Sequence, residues 1–318
     1  MNLLQLIRSF VSTVEAGSIA GGARSLGISA AAVSQNIARL EAELGVRLLN
    51  RSPRSLALTE RGARYFGQVR EIDRQLEHAR QAATGDEDAP SGRLRIASTG
   101  AFARHVLAPM LPSLRARHPR LELELRVEDG LADHARDGLD GSLRIEEQLE
   151  GGVVARCVAV VPFVLCAAPD YLTRHGSPAS PEQLAVHDCV LFRQPSDGRH
   201  LPWGFLRDGQ RIVPEPKPAL VSNDIDAIAA MSAAGAGISR LAAFVAQPYL
   251  DAGTLVALTG RSRDAQFDAE PEPMRIHLCL SDRRDLTPKL QSFLNHLHSR
   301  LPEAWRQSGT DGAGDRIV

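Results

Sequence analysis

A run of small, uncharged side chains able to form hydrogen bonds lies early in the 318-residue chain. Ala31, Ser34 and Gln35 fall on one side of a predicted helix, where most surface helices carry charges. Such a face fits the major groove of DNA, whose base edges present hydrogen-bond donors and acceptors. Gln35 has an amide that can pair with an adenine edge, and Asn36 offers a second one. The pattern therefore predicts a helix that reads DNA.

The elements that must position this face are also predicted by the sequence. Val33, Ile37, Leu40 and Leu44 recur at steps of four, three and four, which predicts one buried side of the helix. Ser29 precedes the helix and can cap its first turn through the hydroxyl group. The sequence of residues 3–14 predicts a further helix that packs under the reading helix.

A pair of glycines, Gly21 and Gly22, interrupts the first helix of this predicted helix-turn-helix. Each glycine costs about 1 kcal/mol of helix stability relative to alanine, so we expect that helix to be soft.

Residues 48–59 contain two apolar, strand-like ends around a basic turn, which predicts a wing beside the helix-turn-helix. Arg51 and Arg54 would reach phosphates or the minor groove from this hairpin. Any single arginine here could equally be a solvated surface charge. The whole chain has a net charge of −1, but its first 64 residues hold eight arginines against four glutamates. The positive charge therefore lies on the predicted DNA-binding segment.

The N-terminal pattern is long and specific, and the chain resembles the LysR-type transcriptional regulators. The resemblance rests on Phe10, Val14, Glu15, Gly17, Ser18, Ala23, Leu26, Ser29, Ala32, Val33, Ser34, Ile37, Leu40, Glu41, Leu44, Gly45, Leu48, Arg51, Leu58, Thr59 and Gly62. It implies a winged helix-turn-helix over residues 1–64. It also implies a DNA-contacting set of Ser18, Ala31, Ser34, Gln35, Asn36, Arg39, Arg51 and Arg54. The chain departs from the family at Ala30-Ala31, where Gln, Pro or Ser is frequent, and this removes one base contact.

A helical segment with an apolar seam follows the predicted wing. Its seam positions recur with a period of 3.5, as in two-stranded coiled coils. They are Tyr65, Val69, Ile72, Leu76, Ala79 and Ala83. The pattern favours a dimerisation helix, with a hinge, over 65–91, because two reading heads at fixed spacing match a two-fold DNA site. The alternative is that this helix buries its seam on its own domain.

The remainder of the chain alternates predicted strands and helices, which indicates an α/β domain with mainly parallel sheets. Short motifs in it are similar to the effector domain of the same family. They are Gly92 with Leu94-Arg95-Ile96, Leu107-Ala108-Pro109, Leu139-Asp140, Leu143-Arg144-Ile145, Tyr171-Leu172, Ser222-Asn223-Asp224, Ala234-Gly235-Ala236-Gly237-Ile238 and Gly253 with Leu255-Val256. The overall class is thus α/β, with a mainly α N-terminal part, a long linker helix and a two-lobed domain like the periplasmic binding proteins.

The resemblance also implies where the lobes begin and end. The effector domain would cover 92–301, with lobe I formed by 92–161 and 267–301 and lobe II by 162–266. The chain would cross between lobes near Val161-Pro162 and near Gln266-Phe267. Residues 302–318 are largely polar, and the glycine-rich end of this segment predicts a disordered tail.

Two strand-to-helix turns are candidate ligand contacts. One contains Ser98, Thr99, Gly100, Ala101 and Phe102, and the other contains Ser222, Asn223 and Asp224. Ligands of open α/β sheets bind at the carboxyl ends of strands, and helix N-termini attract anions. The alternative is ordinary helix capping by these residue types.

The expected effector is a polar or anionic metabolite. Ile145 and Glu146 complete the predicted effector set, and Glu146 and Glu147 stand where relatives usually have Gly. With Glu128 and Asp129 at another predicted strand end, the rim of the cleft would be acidic. An effector with an amine or several hydroxyls is then credible.

Other functional classes find less support in the sequence. Nucleophile-elbow, zinc-protease, Walker and dinucleotide-binding motifs are absent from it, so it predicts neither an enzyme nor a cofactor or metal site. A solute-binding protein would fit the α/β half alone, but the first 90 residues and the lack of a secretory signal oppose it. No apolar stretch approaches the length of a membrane span. We expect a cytoplasmic dimer, or dimer of dimers, that binds two-fold related double-stranded DNA and could also contact RNA polymerase.

Four cysteines, at positions 157, 166, 189 and 279, are widely spaced. Buried thiols in a reducing compartment are the favoured interpretation. The alternative is a peroxide sensor, a role that some relatives of this family perform with a close cysteine pair.

Overall fold

A computed structural model of the chain describes residues 3–52, 55–69, 90–129, 138–149, 153–259, 267–282, 285–306 and 316–317. The side chains of residues 51, 52, 55, 316 and 317 are not part of that description. The described residues divide into an N-terminal compact unit up to residue 69 and a second unit that begins at Pro90. Most of the predicted linker helix and its hinge, residues 70–89, lies outside the described residues.

The first unit is a helix-turn-helix followed by a hairpin. Its elements are α1 (Leu3–Glu15), α2 (Ile19–Leu26), α3 (Ala30–Leu44), β1 (Leu49–Ser52), β2 (Ser55–Leu58) and α4 (the described part, 60–69). The winged helix-turn-helix prediction is confirmed. Ser29 caps α3 as expected, since its Oγ accepts a hydrogen bond from the Ala32 amide at 3.1 Å. β1 and β2 pair antiparallel, with Leu49 opposite Leu58.

The core of the first unit forms under α3. Val33, Ile37 and Leu40 are buried and pack with Phe10 of α1. Leu44 was expected on the same buried side, but 39% of it is exposed. It is the last residue of α3, where the chain turns away through Gly45, so no neighbouring element covers it.

The two glycines of α2 serve close helix packing. A Cβ at Gly22 would lie 2.8 Å from the Thr13 hydroxyl and 2.9 Å from the Thr13 backbone, and one at Gly21 would lie 2.7 Å from the Ala16 Cβ. The expectation of a soft helix considered only helix propensity. Tertiary packing supplies the reason for these residues, because α1 and α2 approach so closely that a side chain would not fit.

The first two positions of the predicted dimer seam belong to the core of their own unit. Val69 is buried, and the Tyr65 ring lies 5.9 Å from the Phe10 ring, centroid to centroid. Tyr65 and Val69 therefore pack against their own domain, which is the alternative to a dimer seam at these two positions. A dimer seam can begin only at Ile72, outside the described residues.

The second unit contains the following elements: β3 (Gly92–Ser98), α5 (Gly100–Phe102), a π-helix (Ala103–Leu107), α6 (Ala108–Arg117), β4 (Leu121–Val127), β5 (Gly141–Ile145), β6 (Val154–Val161), β7 (Phe163–Ala167), α7 (Pro169–His175), β8 (Asp188–Phe192), β9 (Phe205–Arg207), β10 (Gln210–Ile212), β11 (Lys217–Ser222), α8 (Ile225–Ala233), β12 (Ser239–Ala242), α9 (Ala243–Asp251), β13 (Val256–Ala257), β14 (Glu270–Pro271), β15 (Met274–Leu280), α10 (Pro288–Arg300) and β16 (Arg316–Ile317). Short 3-10 turns cover Glu146–Gln148, Pro181–Ala185 and Glu303–Trp305.

Two lobes, each with its own sheets, share this unit. Lobe I has a six-stranded sheet in the order β16-β6-β15-β5-β3-β4. β3 is parallel to β4 and to β5, whereas β15 is antiparallel to β5 and β6. Lobe II contains β12-β7-β13, the parallel pair β11-β8, and β10-β9-β14. The prediction of mainly parallel sheets is therefore wrong. The lobe I sheet is mixed, and in lobe II the two three-stranded sheets are antiparallel, so that among the described strands only β8 and β11 pair in parallel there.

The first crossing lies at Pro162, between β6 of lobe I and β7 of lobe II, as predicted. The second differs from the prediction. Phe267 packs its ring 5.4 Å from that of Phe205, and β14 pairs with β9, so residues 267–271 belong to lobe II. The chain returns to lobe I only between Pro271 and Met274. A strand of two residues, such as β14, leaves no periodic signal in the sequence.

The prediction of a disordered tail over 302–318 does not hold at its beginning. Residues 303–305 form a 3-10 turn, and Arg306 bridges to Ala159 of β6. Residues 316–317 form β16 on the same strand. No helix among the described residues is long and apolar enough to cross a bilayer.

Gly62 offers a direct test of how the wing is attached to α4. A Cβ at Gly62 would lie 2.0 Å from the Leu48 carbonyl oxygen and 2.8 Å from its carbon, so Gly62→Ala must displace backbone. We expect it to lower the free energy of unfolding of the first unit by about 1–3 kcal/mol, as overpacking does.

Gly67→Ala is the matched control, since Gly67 lies in the same helix with open space around it. It should instead stabilise the helix by up to about 1 kcal/mol. Urea unfolding of the full chain, followed by circular dichroism, measures both. Tryptophan fluorescence reports only the second unit, where Trp203 and Trp305 lie, and should not change. Equal stabilities for the two variants would contradict the packing argument.

Candidate functional site

The outer ridge of α3 is the candidate DNA-reading surface. Ala31, Gln35 and Arg39 are exposed and follow one another at steps of four, so they line one side of the helix. Ser34 lies beside them and is half-buried. Gln35 forms no hydrogen bond with the described residues, so its amide is available to a base edge.

Two residues of the predicted DNA-contacting set have structural partners. Asn36 is half-buried and donates a hydrogen bond from Nδ2 to Ser9 Oγ at 2.9 Å, which joins α3 to α1. It lies three positions after the buried Val33, so helical geometry turns it towards α1 rather than outwards. Ser18 caps α2, because its Oγ accepts a hydrogen bond from the Gly21 amide at 3.0 Å. The bond to Ser9 favours a structural role for Asn36 over base reading.

The wing begins at a contact that sequence reasoning did not assign. Glu41 Oε1 accepts hydrogen bonds from the amides of Leu48 and Leu49, at 2.7 and 3.1 Å. A residue of α3 therefore fixes the start of β1. Arg51 lies in β1 but its side chain is not described, and Arg54 lies outside the described residues.

The second candidate site is a cavity of about 160 Å³ between lobes I and II. Its lobe I wall forms where β3, β4 and β5 end, since parallel neighbours present their carboxyl ends at one edge of a sheet. Seven of the ten predicted effector residues line it: Thr99, Gly100, Ala101, Phe102, Ile145, Asn223 and Asp224. Asp129, which the sequence placed at the acidic rim of the cleft, also lines it. The sequence missed the other lining residues, namely Arg104, Val127, Gln148, Phe163, Phe192, Leu201, Ile225, Asp226, Ala242, Phe244, Val245 and Met274.

Three predicted effector residues lie outside the lining. Ser98 is fully buried at the end of β3. Glu146 points to Arg275, with 3.8 Å between Oε2 and Nε. Ser222 Oγ accepts a hydrogen bond from the Asp224 amide at 3.1 Å. Each follows or precedes a lining residue in sequence, but strand alternation or local turn bonding directs its side chain elsewhere.

Comparisons with known proteins identify the family. The family model described as a bacterial regulatory helix-turn-helix protein of the lysR family matches residues 4–63, and the LysR substrate binding domain matches residues 87–302. The chain belongs to the LysR family. It is a DNA-binding transcriptional regulator controlled by a small-molecule effector between two α/β lobes, and not an enzyme.

Individual relatives agree with this assignment. An HTH-type transcriptional repressor of Pseudomonas aeruginosa is 30% identical over 93% of this chain and 91% of its own length. The transcriptional activator AaeR of Escherichia coli is 29% identical over 93% of each chain. The solved structure of CrgA, a LysR-type regulator from Neisseria meningitidis, has 29% identity and a TM-score of 0.54 over 92% of this chain and 97% of that one.

In this LysR-type regulator one carboxylate joins the lobes across the cleft. Asp226, in the first turn of α8 in lobe II, pairs with Arg104 of the lobe I π-helix and lies 2.6 Å from Nε2 of His105. Phe244 of lobe II packs beside this contact, with its ring centroid 5.7 Å from that of Phe102 and 6.3 Å from that of Trp305. These polar and aromatic contacts hold the two walls together.

A buried arginine positions the acidic end of β4. Arg144 donates a hydrogen bond to the Glu128 carbonyl oxygen at 2.9 Å, and its guanidinium lies 3.4 Å from the Glu128 carboxylate. Burial lowers the pKa of Arg144, an effect that the charge of Glu128 partly offsets. The adjacent Asp129 accepts the Gly100 amide through Oδ1 at 2.9 Å and the Gln148 amide through its carbonyl oxygen at 3.3 Å.

All four cysteines are free thiols, and three of them are buried. Cys166 and Cys189 are fully buried, and burial raises the pKa of each to about 12. Burial likewise raises the pKa of Cys279 to about 11 and raises that of Cys157. Because the thiolate is the reactive form, these thiols favour the structural interpretation over a peroxide sensor. Among the described residues, no group of three or more His, Cys, Asp or Glu side chains could hold a metal ion.

Proposed function

We propose that Thr99 and Asn223 bind the effector from opposite lobes of the cavity. The supporting observation is that both side chains line the cavity and neither forms a hydrogen bond with the described residues. Thr99 stands at the start of α5 without capping it, unlike Asp224 at the start of α8. A polar side chain that lines a cleft without a partner is suited to bind a ligand group.

Regulation follows from the contacts between lobes. The effector would bind where Asp226 and Phe244 already join lobe II to lobe I, so an occupied cleft should favour one lobe arrangement over another. A shift in that population would reach DNA through the linker helix as a change in the geometry of the reading heads. The three parts of the mechanism are residues 1–64 for DNA, 65–91 for dimerisation, and the two-lobed domain from residue 92 for the effector.

On DNA, we assign base reading to Gln35 and Ser34, with Ala31 allowing close approach and Arg39, Arg51 and Arg54 near phosphates. The assignment rests on the exposed ridge of α3. The protein would act in the cytoplasm, where bacterial DNA is located. Contact with RNA polymerase stays a prediction.

The first test separates base reading from folding. Gln35→Ala should cost about 1–3 kcal/mol on the best DNA site and relax the sequence preference, because one base contact is lost. Asn36→Ala is the neighbouring control. It removes the bond to Ser9, so it should lower the stability of the first unit by about 1 kcal/mol and leave the preference unchanged. Binding selection from a randomised duplex pool measures preference. An unchanged preference for the Gln35 variant would remove it from the reading set.

The second test concerns assembly of the full chain. Ile72→Asp combined with Leu76→Asp should weaken the dimer by several kcal/mol, because a charge buried without a partner costs more than a neutral polar group. His78→Asp with Gln81→Asp adds two carboxylates on the side of the helix away from the predicted seam and should leave the dimer intact. Sedimentation velocity over a dilution series compares them. Equal dissociation of both double variants would mean that this helix does not hold the dimer.

The third test concerns the cleft. Thr99→Val and Asn223→Leu keep approximate shape and remove a polar group. Each should weaken effector binding by about 1–3 kcal/mol, since a ligand group loses its partner. DNA affinity without effector should be nearly unchanged. An effector is first found by thermal shift against a metabolite library, because a bound ligand stabilises the folded protein. Calorimetric titration and DNA gel shifts then compare the variants.

Two outcomes would contradict the cleft assignment. Unaltered effector affinity in both variants would place the site elsewhere. Lost DNA binding without effector would mean that Thr99 and Asn223 serve the fold.

A further inference from the structure

The charge of the cavity lining differs from what an anionic effector requires. The lining includes three carboxylates, those of Asp129, Asp224 and Asp226, and one guanidinium, that of Arg104. Arg104 already pairs with Asp226. Asp129 and Asp224 form no ion pair with any cation among the described residues. The lining therefore has an excess of two negative charges, one from each lobe.

The helix N-termini at the cavity do not reverse this balance. Asp129 Oδ1 accepts the Gly100 amide at 2.9 Å, and Asp224 Oδ1 accepts the amides of Asp226 and Ala227 at 2.8 and 2.9 Å. A helix N-terminus carries roughly half a positive charge. A full carboxylate charge outweighs it, so each of these ends is net negative. The chain's own carboxylates stand where the sequence suggested that an anionic ligand would bind.

Two buried arginines near the cavity are engaged by groups other than a ligand. Arg144 pairs with Glu128. Arg240 stacks on the Phe163 ring, with 4.2 Å between the guanidinium carbon and the ring centroid, and is influenced by the charges of Glu147 and Glu272. Neither arginine lines the cavity. Because both are buried and outside the lining, the groups that a ligand would touch keep their excess of carboxylates.

Aromatic rings form much of the remaining wall. Phe102, Phe163, Phe192 and Phe244 line the cavity, which is four of the nine phenylalanines in the chain. The face of an aromatic ring attracts cations, and this attraction strengthens when water is excluded. Carboxylates among aromatic rings suit an ammonium group on an apolar body. An anion in the same place would lose its hydration and meet like charge.

We propose that the effector is an organic cation, an ammonium group on an apolar body, with Asp129 and Asp224 supplying the complementary charge. The phenylalanines enclose the body, and the oxygens of Thr99 and Asn223 accept hydrogen bonds from the ammonium group. This inference rests on the proposed function of the cavity as the effector site.

The test uses three probes that share a phenyl body: 2-phenylethylamine, 3-phenylpropanoate and 3-phenylpropanol. Each is titrated by calorimetry into the full-length protein. The amine should bind at least about tenfold more tightly than the carboxylate, the scale of one charge-assisted contact. Asp129→Asn and Asp224→Asn should each weaken amine binding about tenfold and leave alcohol binding unchanged. Asparagine keeps an acceptor for the Gly100 amide and for the cap of α8, so both variants should fold.

Asp170→Asn, an exposed carboxylate in the first turn of α7, is the control and should change nothing. Tighter binding of the carboxylate than of the amine would overturn the inference. So would unchanged amine affinity in both variants, or no amine binding up to about 10 mM, where even weak fragments bind. If the carboxylate binds and Thr99→Val weakens it, the cavity is still the effector site and only the charge assignment fails. If Thr99→Val and Asn223→Leu alter no probe that binds, the proposed site itself fails.

Discussion

The parallel pairing of β3 with β4 and β5 is the constraint on which the cleft depends. Because these strands run side by side in one direction, the chain after each of them emerges at the same edge of the lobe I sheet. Thr99, Asp129 and Ile145 follow or end three strands that are far apart in sequence, yet they line one cavity. Mixed pairing elsewhere does not disturb this edge, since β15 and β6 add on the other side of β5.

Across that edge, the second lobe is held by few contacts. Asp226 meets Arg104 and His105, and the Phe244 ring packs near Phe102 and Trp305. Both groups border the cavity, so a ligand that enters must bind beside the contacts that keep the lobes together. Because a bound ligand lies next to the contacts between the lobes, its binding can favour one arrangement of the lobes over another.

The DNA-binding unit is organised by backbone proximity. At Gly22 and Gly62, hydrogen is the largest substituent that fits, because Thr13 and the Leu48 carbonyl occupy the space of a side chain. Glu41 then fixes the amides at the start of β1. These contacts set the position of the wing relative to α3. On the outer ridge of α3, Gln35 is exposed and forms no hydrogen bond with the described residues. The same helix thus carries a packed side and a free side.

Much of this could be predicted from the sequence. Periodicity predicted α3 with its buried residues Val33, Ile37 and Leu40, and Ser29 predicted where it begins. Most of the predicted effector residues line the cavity. They could be predicted because polar residues between the end of a strand and the start of a helix are a local signal. The contacts of Asn36 and Glu146 and the position of the second crossing were not predicted, since the partners involved, Ser9, Arg275 and β9, are distant in sequence.

What the sequence by itself determined is therefore the order and type of the main elements, the family, and the helix that faces DNA. All three depend on patterns within short segments, which local propensity and periodicity encode. The sequence also indicated an acidic rim at Asp129, but only the tertiary structure decided the charge balance and the aromatic wall of the cleft. Its phenylalanines come from four separate elements, and its carboxylates outweigh the helix N-termini beside them. Charge balance is a property of groups brought together in space, and no single segment of the chain contains it.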